Sequence, residues 1–154
     1  DVLELYAQYP VRPEATLLED ARERGRRMAQ VVNRLVDLGA KVIVSNLPDM
    51  GLSPYAVTEA AANTDIDRAA MISRITAAFN EQLGANVLLD GRYVGLMQTD
   101  LRTQAAHRSP ASFGLSNATS AVCTVALPNC TTSTLVASRT SFKPNGSSKA
   151  RASW

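Results

Sequence analysis

The sequence contains few of the side chains that form structural zinc sites. Its 154 residues include two cysteines, Cys123 and Cys130, and a single histidine, His107. A structural zinc site takes four ligands, chiefly Cys and His, so these three residues are too few to complete one. We therefore expect no metal site and no cofactor.

The sequence also lacks long apolar runs and a basic region within its body. No run approaches the roughly 18 apolar residues that a membrane-spanning helix needs. Of the 16 Lys and Arg residues, four lie in the last 17 residues, which contain no acid. The rest of the chain has slightly more acids than bases and offers no basic stripe for a phosphate backbone. We expect no integral membrane segment and no nucleic-acid partner.

The residues that are present fit one folded domain followed by a tail. Hydrophobic residues make up 45% of the chain and charged residues 19%, which is typical of a domain with a single core. Residues 138–154 are rich in Ser, Lys and Arg. We assign residues 1–137 to an α/β domain and expect residues 138–154 to be a basic tail, disordered or foreign to the domain.

Two segments have the apolar spacing of amphipathic helices, and each is followed by a short apolar run typical of a strand. Helices are predicted at residues 16–38 and 65–83, strands at residues 41–45 (KVIVS) and 86–89 (NVLL), and a further short helix at residues 94–101. This alternation indicates an α/β fold with a parallel sheet and crossover helices. The first helix is expected to bury Leu18, Ala21, Gly25, Met28, Val32 and Leu35.

Polar residues follow both predicted strands. Asn46 and Asp49 come after the first strand, and Asp90 comes after the second. The carboxyl ends of parallel strands meet at one edge of a sheet, where open α/β folds place their sites. Asn46 and Asp49 therefore either line a cleft at this edge or only cap turns around Pro48.

The two cysteines are seven positions apart, in a segment rich in Ser, Thr, Asn and Pro. One interpretation is a local disulfide in an exported protein, contributing about 2 kcal/mol by constraining the unfolded chain. The other is a pair of buried, unpaired thiols. The first interpretation predicts a secreted or periplasmic protein.

Two stretches resemble a known family. Residues 41–55, KVIVSNLPDMGLSPY, match an N-x-P-D-x-G-x-[ST]-P pattern, and the following predicted helix contains Phe79-Asn80. Residues 109–130, SPASFGLSNATSAVCTVALPNC, match a loop in which an aromatic-Gly-apolar-x-Asn phrase precedes a cysteine bridge. Both are similar to secreted esterases, lecithinases and thermolabile haemolysins of the GDSL/SGNH hydrolase superfamily.

The resemblance implies a flavodoxin-like three-layer α/β fold and hydrolysis of small-molecule or lipid esters by a serine nucleophile. Asn46 and Asp49 would then lie on the substrate side of the site. Asp1 would be the final residue of the G-x-N-D block, whose Asn donates to the oxyanion. The same resemblance places the G-D-S block and the D-x-x-H block outside this chain. We therefore assign no catalytic residue and expect a fragment that is inactive alone.

Other residues offer no replacement for the missing groups. His107 is followed by Arg108, which cannot accept a hydrogen bond and so cannot orient the imidazole. We therefore expect His107 to be a surface histidine. Four serines lie outside any nucleophile-elbow motif, and we expect turn or cap roles for them: Ser45, Ser53, Ser109 and Ser112. A partner could be the missing part of the domain or a second copy of the chain. The alternative function is a non-catalytic module that binds a partner through exposed sheet edges.

Overall fold

A computed structural model describes residues 1–123, 125, 129–131 and 133–135. Its elements in chain order are helices α1 (Val2–Tyr6) and α2 (Glu14–Asp37), strand β1 (Val42–Ser45), a 3₁₀ turn (Met50–Leu52), helices α3 (Pro54–Ala62) and α4 (Arg68–Asn86), strand β2 (Val94–Met97), helix α5 (Thr99–Arg108) and a second 3₁₀ turn (Pro110–Phe113). The predicted basic tail, residues 138–154, and its predicted boundary with the domain at residue 137 lie outside the described part of the chain.

Helices α2 and α4 form the centre of the core, and both were predicted close to their observed limits. Their buried side chains pack together with those of α1 and the inner face of the sheet. The helices approach closely at Gly25, where an added Cβ would lie 2.3 Å from the carbonyl oxygen of Phe79. A glycine is therefore required at this crossing by the space available, since a methyl group would overlap the backbone of α4.

The buried face of α2 differs from the predicted one. Ala21, Gly25 and Val32 are buried as expected, but Leu17 and Ala29 complete the face. The prediction that Met28 and Leu35 are buried is wrong, since their side chains are 42% and 44% exposed. The helix presents a glycine to α4 at the point where the two backbones approach. The buried residues of α2 are Leu17, Ala21, Gly25, Ala29 and Val32.

Strands β1 and β2 pair in parallel, with Val42 opposite Val94 and Ser45 opposite Met97. This confirms an α/β chain with a parallel sheet, which has two strands in the described residues. An apolar run such as KVIVS is typical of a strand buried on both faces, but β1 is buried on one face only. Val44 and Val94 face the core and are buried, whereas Ile43 is 85% exposed on the other face. Helices cover one face of this sheet.

The second strand was predicted at the wrong place. Asn86 is the last residue of α4, and the Val87 N–H still bonds to the carbonyl of Leu83. Leu88 and Leu89 are exposed, and the strand forms later, at Val94–Met97. The predicted helix at residues 94–101 is also wrong, because that segment is β2 followed by the first turn of α5. The turn at Gly91, with φ near +70°, redirects the chain into β2.

Two helices were not predicted. No secondary structure was predicted for the first nine residues, of which Val2–Tyr6 form α1 and bury Val2, Leu5 and Tyr6. Helix α3 begins at Pro54, and the Ser53 hydroxyl accepts a hydrogen bond from the Ala56 N–H. Ser53 therefore has the expected capping role, and Pro54 occupies the first helical position, where its missing N–H is harmless.

Cys123 and Cys130 form a disulfide whose Cα atoms are 5.7 Å apart. This agrees with the local disulfide of the first interpretation. Cys123 also forms an isolated antiparallel bridge with Leu135. None of the described helices is long and apolar enough to cross a membrane.

A polar cleft at the carboxyl ends of the strands

Asn46 joins the end of β1 to the start of α5. Its side-chain oxygen accepts hydrogen bonds from the N–H groups of Thr99, at 2.7 Å, and Asp100, at 3.1 Å. Its side-chain nitrogen donates to Asp100 Oδ1 at 2.6 Å, and its backbone N–H donates to the carbonyl of Met97. Asn46 is 9% exposed. It therefore supplies the acceptor that the first N–H groups of a helix need, in place of a local N-cap residue.

Asn80, on α4, fixes the loop that follows β1. Its carboxamide accepts from the Leu47 N–H and donates to the Leu47 carbonyl, both at 2.8 Å. One side chain thus satisfies the backbone N–H and C=O of Leu47, a residue that lies beyond the end of the strand. Next to it, the Ser45 hydroxyl donates to the Asn46 carbonyl and contacts the Thr99 hydroxyl, which is a turn role as expected.

Asp49 caps the 3₁₀ turn beyond this loop. Its Oδ1 accepts from the Gly51 N–H at 3.1 Å and from the Ser73 hydroxyl at 2.7 Å. An added Cβ at Gly51 would overlap Ser73 and the carbonyl oxygen of Ala69. The sequence pattern N-x-P-D-x-G thus has a local structural reason, since its Asp holds the turn and its Gly allows α4 to approach.

A cleft of about 320 Å³ opens at this edge of the sheet, between the strand ends and α4. A smaller depression of about 40 Å³ adjoins it and contains Asp49, Ser73 and Gln104. The walls of the cleft carry amides, carboxylates and apolar groups. The lining residues are Asn46, Ala77, Asn80, Glu81, Gly84, Leu96, Gln98 and Asp100.

The charged side chains that line the cleft are all acidic. Neither the cleft nor the depression is lined by Lys, Arg or His. Among the described residues, Glu81, Asp100 and Asp49 have no ion-pair partner, whereas carboxylates such as Glu4 and Glu14 pair with arginines. Two carboxylates therefore line the cleft and Asp49 lines the adjoining depression, with no cationic side chain in either lining.

The structure places two of the predicted site residues at the cleft and two elsewhere. Asn46 lines it and Asp49 lines the adjoining depression, although both also have the structural roles described above. The placement of Asp90 at a strand's carboxyl end is wrong. It lies before β2, where its carboxylate accepts from the N–H groups of Arg92, Tyr93 and Val94. Asp1 precedes α1 and contacts Arg24 at 3.5 Å, and it does not line the cleft.

Several lining residues were missed by sequence reasoning. Asp100 and Gln98 follow the true second strand, so a correct assignment of β2 would have identified them by the same strand-end rule. Asn80 and Glu81 lie on α4, where the only sequence signal was the Phe79-Asn80 pair of the family resemblance. His107 is on α5, half-buried, and does not line either cavity.

A second polar cluster lies away from the cleft, between α1, α3 and α4. The Tyr6 hydroxyl donates to Glu59 Oε2 at 2.6 Å, and the buried Arg68 pairs with both carboxylate oxygens of Asp65. The Arg68 guanidinium also lies 4.5 Å from the ring centre of Tyr9. Burial, with the Glu59 hydrogen bond and charge, raises the pKa of Tyr6 to about 12. This fully paired cluster stabilises the docking of α1.

No protein-family model, curated protein or solved structure matches this chain. The geometry of the cleft and the sequence patterns that build it are thus the basis for a functional proposal.

Proposed function

We propose that this chain is part of an exported carboxylic-ester hydrolase of the GDSL/SGNH lineage, and that the cleft forms the substrate side of its site. The observation that carries the proposal is the N-x-P-D-x-G-x-S-P stretch directly after β1. Its Asn46 lines the cleft and its Asp49 lines the adjoining depression, at the carboxyl edge of a parallel sheet. Sites of open α/β folds lie at this edge.

The proposed lineage implies a larger sheet than the one described. In a three-layer α/β fold, further strands and helices would cover the face on which Ile43 is exposed. Asp1 would belong to the oxyanion block of the complete site. The disulfide of Cys123 and Cys130 supports an exported protein, because such bonds persist in oxidising compartments.

We further propose that the chain does not turn over esters by itself. Serine-dependent hydrolysis needs a nucleophile, a base within hydrogen-bond reach and donors for the oxyanion. Among the described residues, Ser73 is the one serine lining either cavity, and its partner is the Asp49 carboxylate. A single carboxylate is a weak base for a serine hydroxyl, and no imidazole of the described residues lines either cavity.

Two measurements on the purified chain test these proposals. Intact mass after treatment with a fluorophosphonate probe is expected to be unchanged, and a single added probe would overturn the claim of no turnover. In that event Ser73→Ala and His107→Ala would locate the activated serine and its base. Titration of the ¹⁵N-labelled chain with ethyl butyrate is expected to shift the amide signals of Gln98 and Asp100. If no cleft signal moves at millimolar ester, the substrate-side assignment is wrong.

A second candidate function is a non-catalytic module that binds a partner through its sheet. Ile43 is 85% exposed, and neither β1 nor β2 contains a charged residue or proline. Natural edge strands usually carry such residues to prevent pairing with other chains. Sedimentation velocity is expected to show self-association that Ile43→Lys abolishes. A monomeric parent chain at 100 μM, a concentration chosen for the assay, would count against this candidate.

A further inference from the structure

Helix α2 carries a second apolar stripe beside its buried face. Its residues recur at intervals of three and four, so they share one side of the helix, and we call them the α2 stripe: Met28, Val31, Leu35 and Leu38. Their exposed fractions run from 42% for Met28 to 79% for Leu38. Around the helix, the buried Val32 separates this stripe from Gly25, which contacts α4. The α2 stripe therefore continues the buried face on the side away from α4.

Helix α2 and strand β2 lie on opposite sides of α4. Phe79 of α4 lies against Gly25 of α2. Ala77 and Gly84 of α4 line the cleft together with Leu96 of β2. At 3.6 residues per turn, Phe79 points in nearly the opposite direction to Ala77 and Gly84. Since β1 pairs with β2, α2 lies over the free edge of β1, on the side away from β2.

The two helices are wider than the sheet beneath them. Neighbouring helix axes lie about 8–10 Å apart and neighbouring strands about 4.8 Å apart, so two helices side by side cover about four strands. The sheet has two strands in the described residues. A space wide enough for a further strand therefore lies beside β1, under the α2 stripe.

The free edge of β1 offers backbone groups to such a strand. The Val42 N–H donates to the Tyr93 carbonyl at 2.7 Å, so the polar groups of Val42 face β2. In a parallel pair, alternate residues direct their N–H and C=O groups to opposite sides. Those of Ile43 and Ser45 therefore point away from β2, into the space beside β1. Donors and acceptors in one row at this spacing are matched by an extended backbone.

We propose that an extended segment of another polypeptide docks here as a third strand, pairs with Ile43 and Ser45, and places apolar side chains under the α2 stripe. The inference rests on the proposed function, because it names the kind of partner that completes the sheet. Lys41 precedes β1, is exposed, and belongs to no ion pair among the described residues. An acidic residue at this end of the partner strand complements its charge.

A synthetic strand tests the proposal. The probe is the capped peptide Glu-Val-Thr-Val-Thr-Val-Thr, whose valines share one face and whose Glu lies beside Lys41 when the peptide is parallel to β1. Amide exchange of the ¹⁵N-labelled chain is followed by NMR. With about 1 mM peptide, the Ile43 and Ser45 amides are expected to exchange about tenfold more slowly, whereas the Val44 amide, which faces β2, changes little.

Methylated peptides show whether the backbone is recognised. In the parallel alignment the valine nitrogens face β1 and the threonine nitrogens face away. Methylation of the valine nitrogens is expected to abolish the protection of Ile43 and Ser45, and methylation of the threonine nitrogens to preserve it. Equal effects of the two methylated peptides would overturn the pairing.

Variants test the contribution of the α2 stripe. Leu35→Lys places a charge above the docked valines and is expected to weaken peptide binding about tenfold. Leu101→Lys is the matched control, because Leu101 is 51% exposed on α5, far from the free edge of β1, and it should bind the peptide like the parent. If Leu35→Lys lowers the urea midpoint, Val31→Lys repeats the test at a residue that is 55% exposed. Lys41→Glu is expected to weaken binding about threefold through like charges.

The outcomes separate this inference from the proposed function. Unchanged exchange of the Ile43 and Ser45 amides in the presence of the peptide would overturn the inference. If these amides were protected without peptide and lost that protection on dilution, a second copy of the chain would occupy the edge, and the inference would also fall. Peptide docking with no response of the cleft signals to ethyl butyrate would support the inference and count against the ester-hydrolase proposal.

Discussion

Replacing Asn46 by alanine tests whether one side chain holds β1 and α5 together. The substitution removes the acceptor for the N–H groups of Thr99 and Asp100, a loss similar to removal of an N-cap, which costs about 1 kcal/mol. It also removes the 2.6 Å hydrogen bond to the Asp100 carboxylate, and hydrogen bonds to charged groups contribute about 1.5–3 kcal/mol. We expect a loss of about 3 kcal/mol in the free energy of unfolding, since Asp100 is partly solvated.

Urea unfolding followed by far-UV circular dichroism measures this loss. Asn46→Asp is the informative companion, because it keeps an acceptor for both N–H groups but places a second carboxylate beside Asp100. Like charges raise the pKa of such a pair, so the stability of this variant relative to the parent is expected to be greatest at acidic pH and to fall as the pH rises above about 4. The reasoning is refuted if Asn46→Ala unfolds within about 0.5 kcal/mol of the parent, the range of ordinary surface substitutions.

Other predictions concern the helix crossing and the tyrosine cluster. Gly25→Ala is expected to destabilise the chain by about 1–3 kcal/mol, because its Cβ would overlap the carbonyl of Phe79. Gly84→Ala, where nothing lies within 4 Å of the added Cβ, should be neutral or stabilising by up to about 1 kcal/mol, and equal urea midpoints for the two variants would contradict the close contact. Because the pKa of Tyr6 is raised to about 12, its contribution is complete below about pH 10 and is lost as the pH rises toward 12. Urea unfolding at pH 9 and 11.5 should show a decrease of about 2 kcal/mol that is smaller in Tyr6→Phe, and equal decreases in the two proteins would refute this assignment.

Helical periodicity predicts the two long helices well, because each keeps an apolar stripe over many turns. It does not predict which large side chains of α2 are covered. Met28 and Leu35 have the correct spacing, yet they are 42% and 44% exposed, and α2 approaches α4 closely at Gly25. A close backbone approach selects small residues, and hydrophobic spacing alone contains no information about that distance.

The second strand shows a different limit. Leu88 and Leu89 follow a helix directly and give a stronger apolar signal than Val94–Met97, which contains a glycine. Four residues are too few for period-two alternation to be distinguished from a helical turn. This one error moved the expected site residue from Asp100 to Asp90. Asn46 and Asp100, which follow the two observed strands, do meet at one edge of the sheet.

The bond between Asn46 and α5 has a consequence for exchange with solvent. Amide protons in the first turn of a helix ordinarily exchange quickly, because they have no partner within the helix. The Thr99 amide is held by a side chain 53 positions earlier in the chain. Its deuterium uptake therefore reports whether β1 and α5 stay docked, and its protection should match that of the strand amides. The exchange rate of this one amide proton would thus report the local opening of this edge of the sheet.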